Sequence, residues 1–398
     1  MNRHRKLAVV LAGFCAFVPL YATQPLLPML ARLFHASAIE VSLTVTFATL
    51  GVALAAPLAG TIADRFGRKR IIVFSASALA LVTMLAAAAT NLAWLTFFRF
   101  LQGVFTPGIV SVVVAYIHEE WEPSSQGQAM AAYVSGTVVG GFSGRFVSGF
   151  VATHLNWQSV FLVLGALNLA CAIALWRWLP QERAHIAAHS NAGWGPALDH
   201  LRNGRLLATY AVGFCVLFSL TSTFTYINFY LAAPPFFLLP AQLGSLFFVY
   251  LIGAAITPIA GRWIDRVGHR RALTVAVSAG STGVLLTLVP QLWAVIAGLT
   301  VCCTGVFIAQ ASASGYLGQA ARHNRALAVG LYGTFYYGGG SAGAAIPGFF
   351  WKSGGWPACV ALIVLVQMTT VGLALSLWAK PGAGVHRPPN AEVATSSF

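Results

Sequence analysis

Twelve apolar runs of about 20 residues or more, centred near residues 18, 51, 80, 104, 140, 168, 219, 251, 281, 305, 339 and 367, take up almost the whole chain. Each is long enough to cross the hydrocarbon core of a bilayer as an α-helix. Charge excludes the alternative of a water-soluble domain. Only 8% of the 398 residues are charged and 58% are hydrophobic, whereas a soluble domain carries about 25% charged residues. Lipid is therefore the expected solvent, and helices that satisfy their own backbone hydrogen bonds are the expected form.

The formal net charge is +14, and its placement decides what it means. Lys and Arg cluster at the N-terminus and at 65–70, 177–205, 262–271, 322–325 and 380–387, alternating with apolar runs. The opposite loops hold little beyond Arg32 and Lys352. This is the positive-inside pattern of cytoplasmic loops, not a nucleic-acid surface. An even number of spans puts both termini on one side, and the basic start Met1-Asn-Arg3-His-Arg5-Lys6 makes that side the cytoplasm. This start leads into a run too long for a removable signal and without a cleavage site. The six cysteines all fall inside apolar runs, without metal-site spacing, so neither a metal nor a cofactor is expected. The stretch 180–205 is the longest polar one. It divides the chain into a six-helix bundle over 1–179, a cytoplasmic linker, and a second six-helix bundle over 206–380. Residues 381–398 lack any apolar period and are expected to be disordered.

One short motif occurs twice, half a chain apart. The first copy is Gly60-Thr-Ile-Ala-Asp64-Arg65-Phe-Gly67-Arg68-Lys69, and the second is Gly261-Arg-Trp-Ile-Asp265-Arg266-Val-Gly268-His269-Arg270. Each ends one apolar run and begins the next. Gly67 and Gly268 are placed where a tight turn needs positive φ, and Gly60 and Gly261 where helices could pack closely. Two other spans also match across the halves. One holds Gly136, Gly140, Gly141, Gly144 and Gly149; the other holds Gly330, Gly333, Gly338, Gly339, Gly340, Gly343 and Gly348. Trp157 and Trp356 follow them at the start of the next span. Repeated halves of this kind place a binding site between them near the bilayer midplane.

The paired loops resemble the cytoplasmic loop signature of the major facilitator superfamily, G-x-x-x-D-R-x-G-R-[KR]. The first copy matches throughout, and the second has His269 at the first basic position. In the fourth span Arg99-Phe-Leu-Gln102-Gly103 is similar to the superfamily's R-x-x-Q-G, found in proton-coupled members. In the fifth span Gly141 and Arg145 depart from the antiporter pattern G-x-x-x-G-P-x-x-G-G. The result resembles a branch of bacterial inner-membrane exporters with G-G-x-S-G-R there. The resemblance covers residues 5–380. It implies an all-α membrane protein of twelve helices in two pseudo-symmetric six-helix bundles, working as a monomer by alternating access. It also implies proton-coupled export of drug-like or sugar-like molecules across the bacterial inner membrane. Asp64, Arg65 and Arg68 would latch a cytoplasmic gate, and Arg99 with Gln102 would couple protons or brace the first half.

An intramembrane charge rarely faces lipid. Arg99 and Arg145 fall at similar depth on neighbouring spans and would repel unless separated, hydrated or bridged by an anion. None of the nine acidic residues falls in mid-span. Neutral or anionic substrates are therefore expected, with Arg145 or Arg99 facing them. Tyr21, Gln24, Thr223, Tyr226, Asn228, Tyr230, Gln310, Ser314, Tyr332 and Tyr336 are candidates for the cavity wall, although aromatic residues at helical spacing often serve packing instead. Proton-coupled uptake of an organic anion is the alternative reading. An intramembrane enzyme would need paired Asp, H-E-x-x-H or G-x-S-x-G, and none is present. No G-x-x-x-x-G-K-[ST] loop occurs either, which argues against direct ATP drive.

Overall fold

A computed structural model describes residues 3–181, 199–321 and 324–378, and among these it contains helices and no strand. The linker's middle and the tail expected to be disordered lie outside the described residues. Twelve helical rods are present among the described residues. The first, α1 (residues 3–33), is broken into Arg3–Phe17 and Leu27–Leu33. There follow α2 (Ala38–Phe66), α3 (Arg68–Ala86), α4 (Leu92–Glu120), α5 (Pro123–His154) and α6 (Trp157–Trp178). The second half repeats this order with α7 (Gly204–Ala232), α8 (Pro240–Val267), α9 (His269–Leu286) and α10 (Leu292–Ala320). The last two are α11 (Arg325–Ala345, carried on by residues 347–353) and α12 (residues 356–377), separated by a kink at Gly354 and Gly355. Eight helical segments are long and apolar enough by themselves to cross a membrane. The rods outside that set are the broken α1, the Gly-rich α5, the basic-ended α9 and the first part of α11.

Local chemistry sets the boundaries. Ser37 caps α2 in a reciprocal box with Glu40. Asn91 and Asn156 accept the backbone N–H groups of Trp94 and Ser159 at 2.9 and 2.8 Å, which starts α4 and α6. Gly67 and Gly268 take φ of 94° and 85° between consecutive rods, the left-handed region that disfavours a side chain. Inside α1 the helix stops at Phe17, turns, and resumes through a 3-10 turn at Gln24–Leu26 with Pro25 in its first turn.

The Gly-rich rods pack alike in both halves. A Cβ at Gly140 or Gly144 would collide with the carbonyl oxygens of Phe14 or Val18 in α1. One at Gly339 or Gly343 would strike those of Phe214 or Phe218 in α7. Each glycine lets two backbones touch.

The two halves meet tightly at one end. There Ser341 donates to the Thr46 carbonyl at 3.0 Å, joining α11 to α2. Gly149 of α5 presses on Pro240 and Gly244 of α8, and Gly348 on Ile39. At the other end, where the two loop motifs lie, the motif glycines stand clear of neighbours. A Cβ at Gly60, Gly261, Gly330 or Gly333 would meet no neighbour within 4 Å. This corrects the expectation for Gly60 and Gly261: in this state they face open space and pack against nothing. The six cysteines are free, and all but the partly buried Cys215 are buried.

Candidate functional site

The loop corner of the first half is an ion-pair cluster. Arg68, at the start of α3, forks onto both carboxylate oxygens of Glu119 at the end of α4, at 2.5 Å each. It also reaches Asp64 at the end of α2 at 3.1 Å. One guanidinium thus ties three helix ends of the same half. Arg65 is exposed beside Phe66. The second copy lacks this fork. His269 stands where Arg68 does, and the amide nitrogen of Gln319 meets its Nε2 at 3.1 Å. Asp265 and Arg266 are exposed, and Arg270 donates to the carbonyl of Leu375 in α12.

The two buried arginines differ in how they are satisfied. Arg99 is fully buried. The break in α1 frees carbonyls from the helical ladder, and Arg99 takes two of them, Pro19 at 2.5 Å and Leu20. It also donates to the Thr44 carbonyl of α2 at 3.2 Å and to Gln102 Oε1. Gln102 in turn donates to Thr83 of α3 at 3.0 Å. Arg145 is 3% exposed. It donates to Gln24 Oε1 at 2.7 Å and to its own helix at the Gly141 carbonyl at 2.6 Å. Its guanidinium lies over Tyr21 at 4.6 Å and over Phe247 and Tyr250 of α8 at 4.7 Å each. The two arginines are therefore separated by their partners: Arg99 closes on the first half, and Arg145 reaches across the seam into the second.

The candidate cavity residues divide. Tyr21 and Gln24 belong to the Arg145 cluster, and Gln24 also donates to Thr225 of α7 at 3.3 Å, linking the halves. Tyr332 donates to Gln310 at 2.8 Å and stacks on Tyr336, and Ser314 is exposed one turn beyond Gln310. Thr223, Tyr226 and Asn228 are taken up by packing in this state. Thr223 bonds to Ser219, Asn228 to the Phe224 carbonyl at 2.6 Å, and Tyr226 to the Ala344 carbonyl at 2.8 Å. Tyr230 stacks on Trp356. Sequence reasoning missed Phe247, Tyr250, Thr225 and Glu119. Phe247 and Tyr250 carry the helical i, i+3 spacing that puts both on one face, a signal indistinguishable from ordinary packing until Arg145 is seen between them.

Two pseudo-symmetric six-helix bundles that close on each other at one end, with a seam lined by polar and aromatic groups, define a secondary membrane transporter. The Major Facilitator Superfamily profile matches residues 9–238 and 235–397. The MFS-type transporter YybF of Bacillus subtilis is 32% identical over 369 residues, covering 92% of this chain and 90% of YybF. The inner membrane transport protein YnfM of Escherichia coli is 31% identical over 363 residues, covering 90% and 87%. The crystal structure of the nucleoside transporter NupG has the same fold, with a TM-score of 0.76 at 12% identity over 96% of this chain and all of that one. The chain belongs to the major facilitator superfamily. It is a multi-pass membrane transporter of a small molecule and not an enzyme.

Proposed function

We propose that the protein is a proton-coupled exporter of small molecules in a bacterial inner membrane, working as a monomer by alternating access. The observation that carries this reading is the tight closure of the two halves at one end, at Ser341–Thr46 and Gly149–Pro240, while the glycines of the two loop motifs stand clear of neighbours. With the basic loops in the cytoplasm, as the positive-inside pattern directs, the tightly closed end faces away from the cytoplasm, and the exporter-like G-G-x-S-G-R at Gly140–Arg145 supports the outward direction. The R-x-x-Q-G resemblance at Arg99 and Gln102 supports proton coupling, and the Arg68–Glu119–Asp64 corner supports a gate at the loop end.

The absence of any mid-span carboxylate among the described residues argues against lipophilic cations as substrates. The test uses inverted membrane vesicles acidified inside by respiration and followed with a pH-gradient dye. Cationic, neutral and anionic compounds are added in turn, with Asp64→Asn vesicles as the control. A compound that collapses the gradient only in the unmodified vesicles is the expected result. If substrate exchange by counterflow persists while no transported compound moves the gradient, proton coupling is wrong.

A further inference from the structure

The two buried arginines look alike in the sequence, and the structure separates them by what remains unspent. A guanidinium carries five N–H donors and one charge. Arg99 is held by three backbone carbonyls and Gln102, all within the first half. Its charge is spread over dipoles that the broken α1 supplies permanently. Arg145 has two oxygen acceptors, Gln24 and its own Gly141, and otherwise faces aromatic rings. The ion pairs among the described residues all involve Arg68, far along the chain at the loop motif. A buried cation without a counter-charge carries a desolvation penalty of several kcal/mol, which ring faces offset only in part.

Arg145 also sits at a particular place. One turn further along α5, Gly149 closes on Pro240 and Gly244, so Arg145 lies one turn from the contact between the halves, with Tyr21 and Gln24 on one side and Phe247 and Tyr250 on the other. Beside it Phe224, Phe247, Tyr250 and Phe307 form a continuous wall, with centroid separations from 4.8 Å for Phe224–Tyr250 to 5.5 Å for Tyr250–Phe307.

We infer that Arg145 is the charge-recognition group of the transport cavity and that its ligand is a monoanionic organic acid. The carboxylate pairs with the guanidinium, and an apolar or aromatic body lies against the α7–α8–α10 wall. This rests on the transporter reading above. One unpaired positive charge fixes the valence: a carboxylate neutralises it, whereas a phosphate dianion would leave a net negative charge in an apolar site, and a cation would add repulsion. The geometry of a planar fork suits two carboxylate oxygens. The same pairing would compete with the rings of Tyr21, Phe247 and Tyr250 for the guanidinium. Binding would therefore loosen the contact that Arg145 makes across the seam.

The experiment measures binding to the purified full chain in lipid nanodiscs by calorimetry. Four compounds share one ring: benzoate, benzamide, benzylamine and phenyl phosphate. Phenylacetate, indole-3-acetate and octanoate widen the carboxylate arm. Arg145→Gln and Arg145→Lys are compared, and the unliganded melting temperature of each reports on folding. The expected result is binding of at least one monocarboxylate, with its neutral amide weaker by about tenfold or more. Arg145→Gln loses that preference while melting at or above the temperature of the unmodified protein, and Arg145→Lys keeps part of it. Equal binding of acid and amide, no binding by any monocarboxylate, or a carboxylate preference that survives Arg145→Gln would each overturn the proposal. So would saturation of the site by chloride alone. Counterflow in liposomes separates the two levels. Exchange of neutral compounds that ignores Arg145 sinks the anion assignment and leaves transport standing, whereas no exchange of any class sinks the transport reading itself.

Discussion

Arg99 donates to Gln102 one helical turn further along α4, and the two side chains together bind four helices of the first half. Arg99 reaches the Pro19 and Leu20 carbonyls of α1 and Thr44 of α2, and Gln102 reaches Thr83 of α3. The break in α1 and the arginine satisfy each other.

Lysine at this position keeps the charge and loses the fork. Buried hydrogen bonds in membrane proteins contribute roughly 0.6 kcal/mol each, so losing most of this set should cost about 2 kcal/mol. Arg99→Lys is expected to lower the melting temperature of the purified protein and to weaken transport of every substrate alike. An effect on one substrate charge class with no change in melting would show that Arg99 binds substrate.

The glycines of α5 and α11 should behave oppositely at the two ends of the molecule. Gly144→Ala and Gly343→Ala push a Cβ into the backbone of α1 or α7 and should destabilise by about 1–3 kcal/mol. Gly330→Ala meets no neighbour in this state and should stabilise its helix by up to about 1 kcal/mol. If helices approach these glycines during turnover, Gly60→Ala and Gly330→Ala should slow transport without lowering the melting temperature.

The two loop corners should respond differently to pH. Gln319 can only donate from its amide nitrogen, so His269 Nε2 must accept, which requires a neutral ring. Protonation removes the acceptor, so this joint holds above the pKa of His269 and is lost as pH falls through it. Protection factors for amide exchange over 261–271, corrected for the intrinsic slowing of exchange at lower pH, should fall on acidification, and His269→Arg should abolish that response. The first corner is instead the Arg68–Glu119 fork. Glu119 is half exposed, so a double-mutant cycle there should give a coupling of no more than about 1 kcal/mol.

The sealed end offers a direct test of alternating access. Ser341 and Thr46 lie in hydrogen-bond contact across the halves. A short cross-linker joining Ser341→Cys and Thr46→Cys should form readily and stop transport, and a cleavable version should restore it on reduction. Continued transport with the link intact would mean that this end never opens.

Much of the architecture was legible before any coordinate. Span length and charge scarcity led to membrane helices, and the repeated Gly-x-x-x-Asp-Arg-x-Gly led to two equivalent halves, because these are properties of short local segments. The turns at Gly67 and Gly268 were readable for the same reason: positive φ is a demand on one residue. The break in α1 was only partly legible. Pro25 sits where the helix resumes, but the chain leaves the helix earlier, at Phe17, where Arg99 on another rod supplies donors for the freed carbonyls.

The sequence by itself determined the solvent, the duplication, the loop motifs and the presence of two arginines among apolar residues. Only the tertiary structure decided that Arg99 is saturated and Arg145 is not, that Glu119 completes the first loop corner, and that the halves close tightly at the Ser341–Thr46 end. The physical reason is distance along the chain. Hydrophobic period and turn chemistry act over a few residues, whereas the partners of a buried charge come from helices scores of positions away. Which partners it meets depends on how the rods pack.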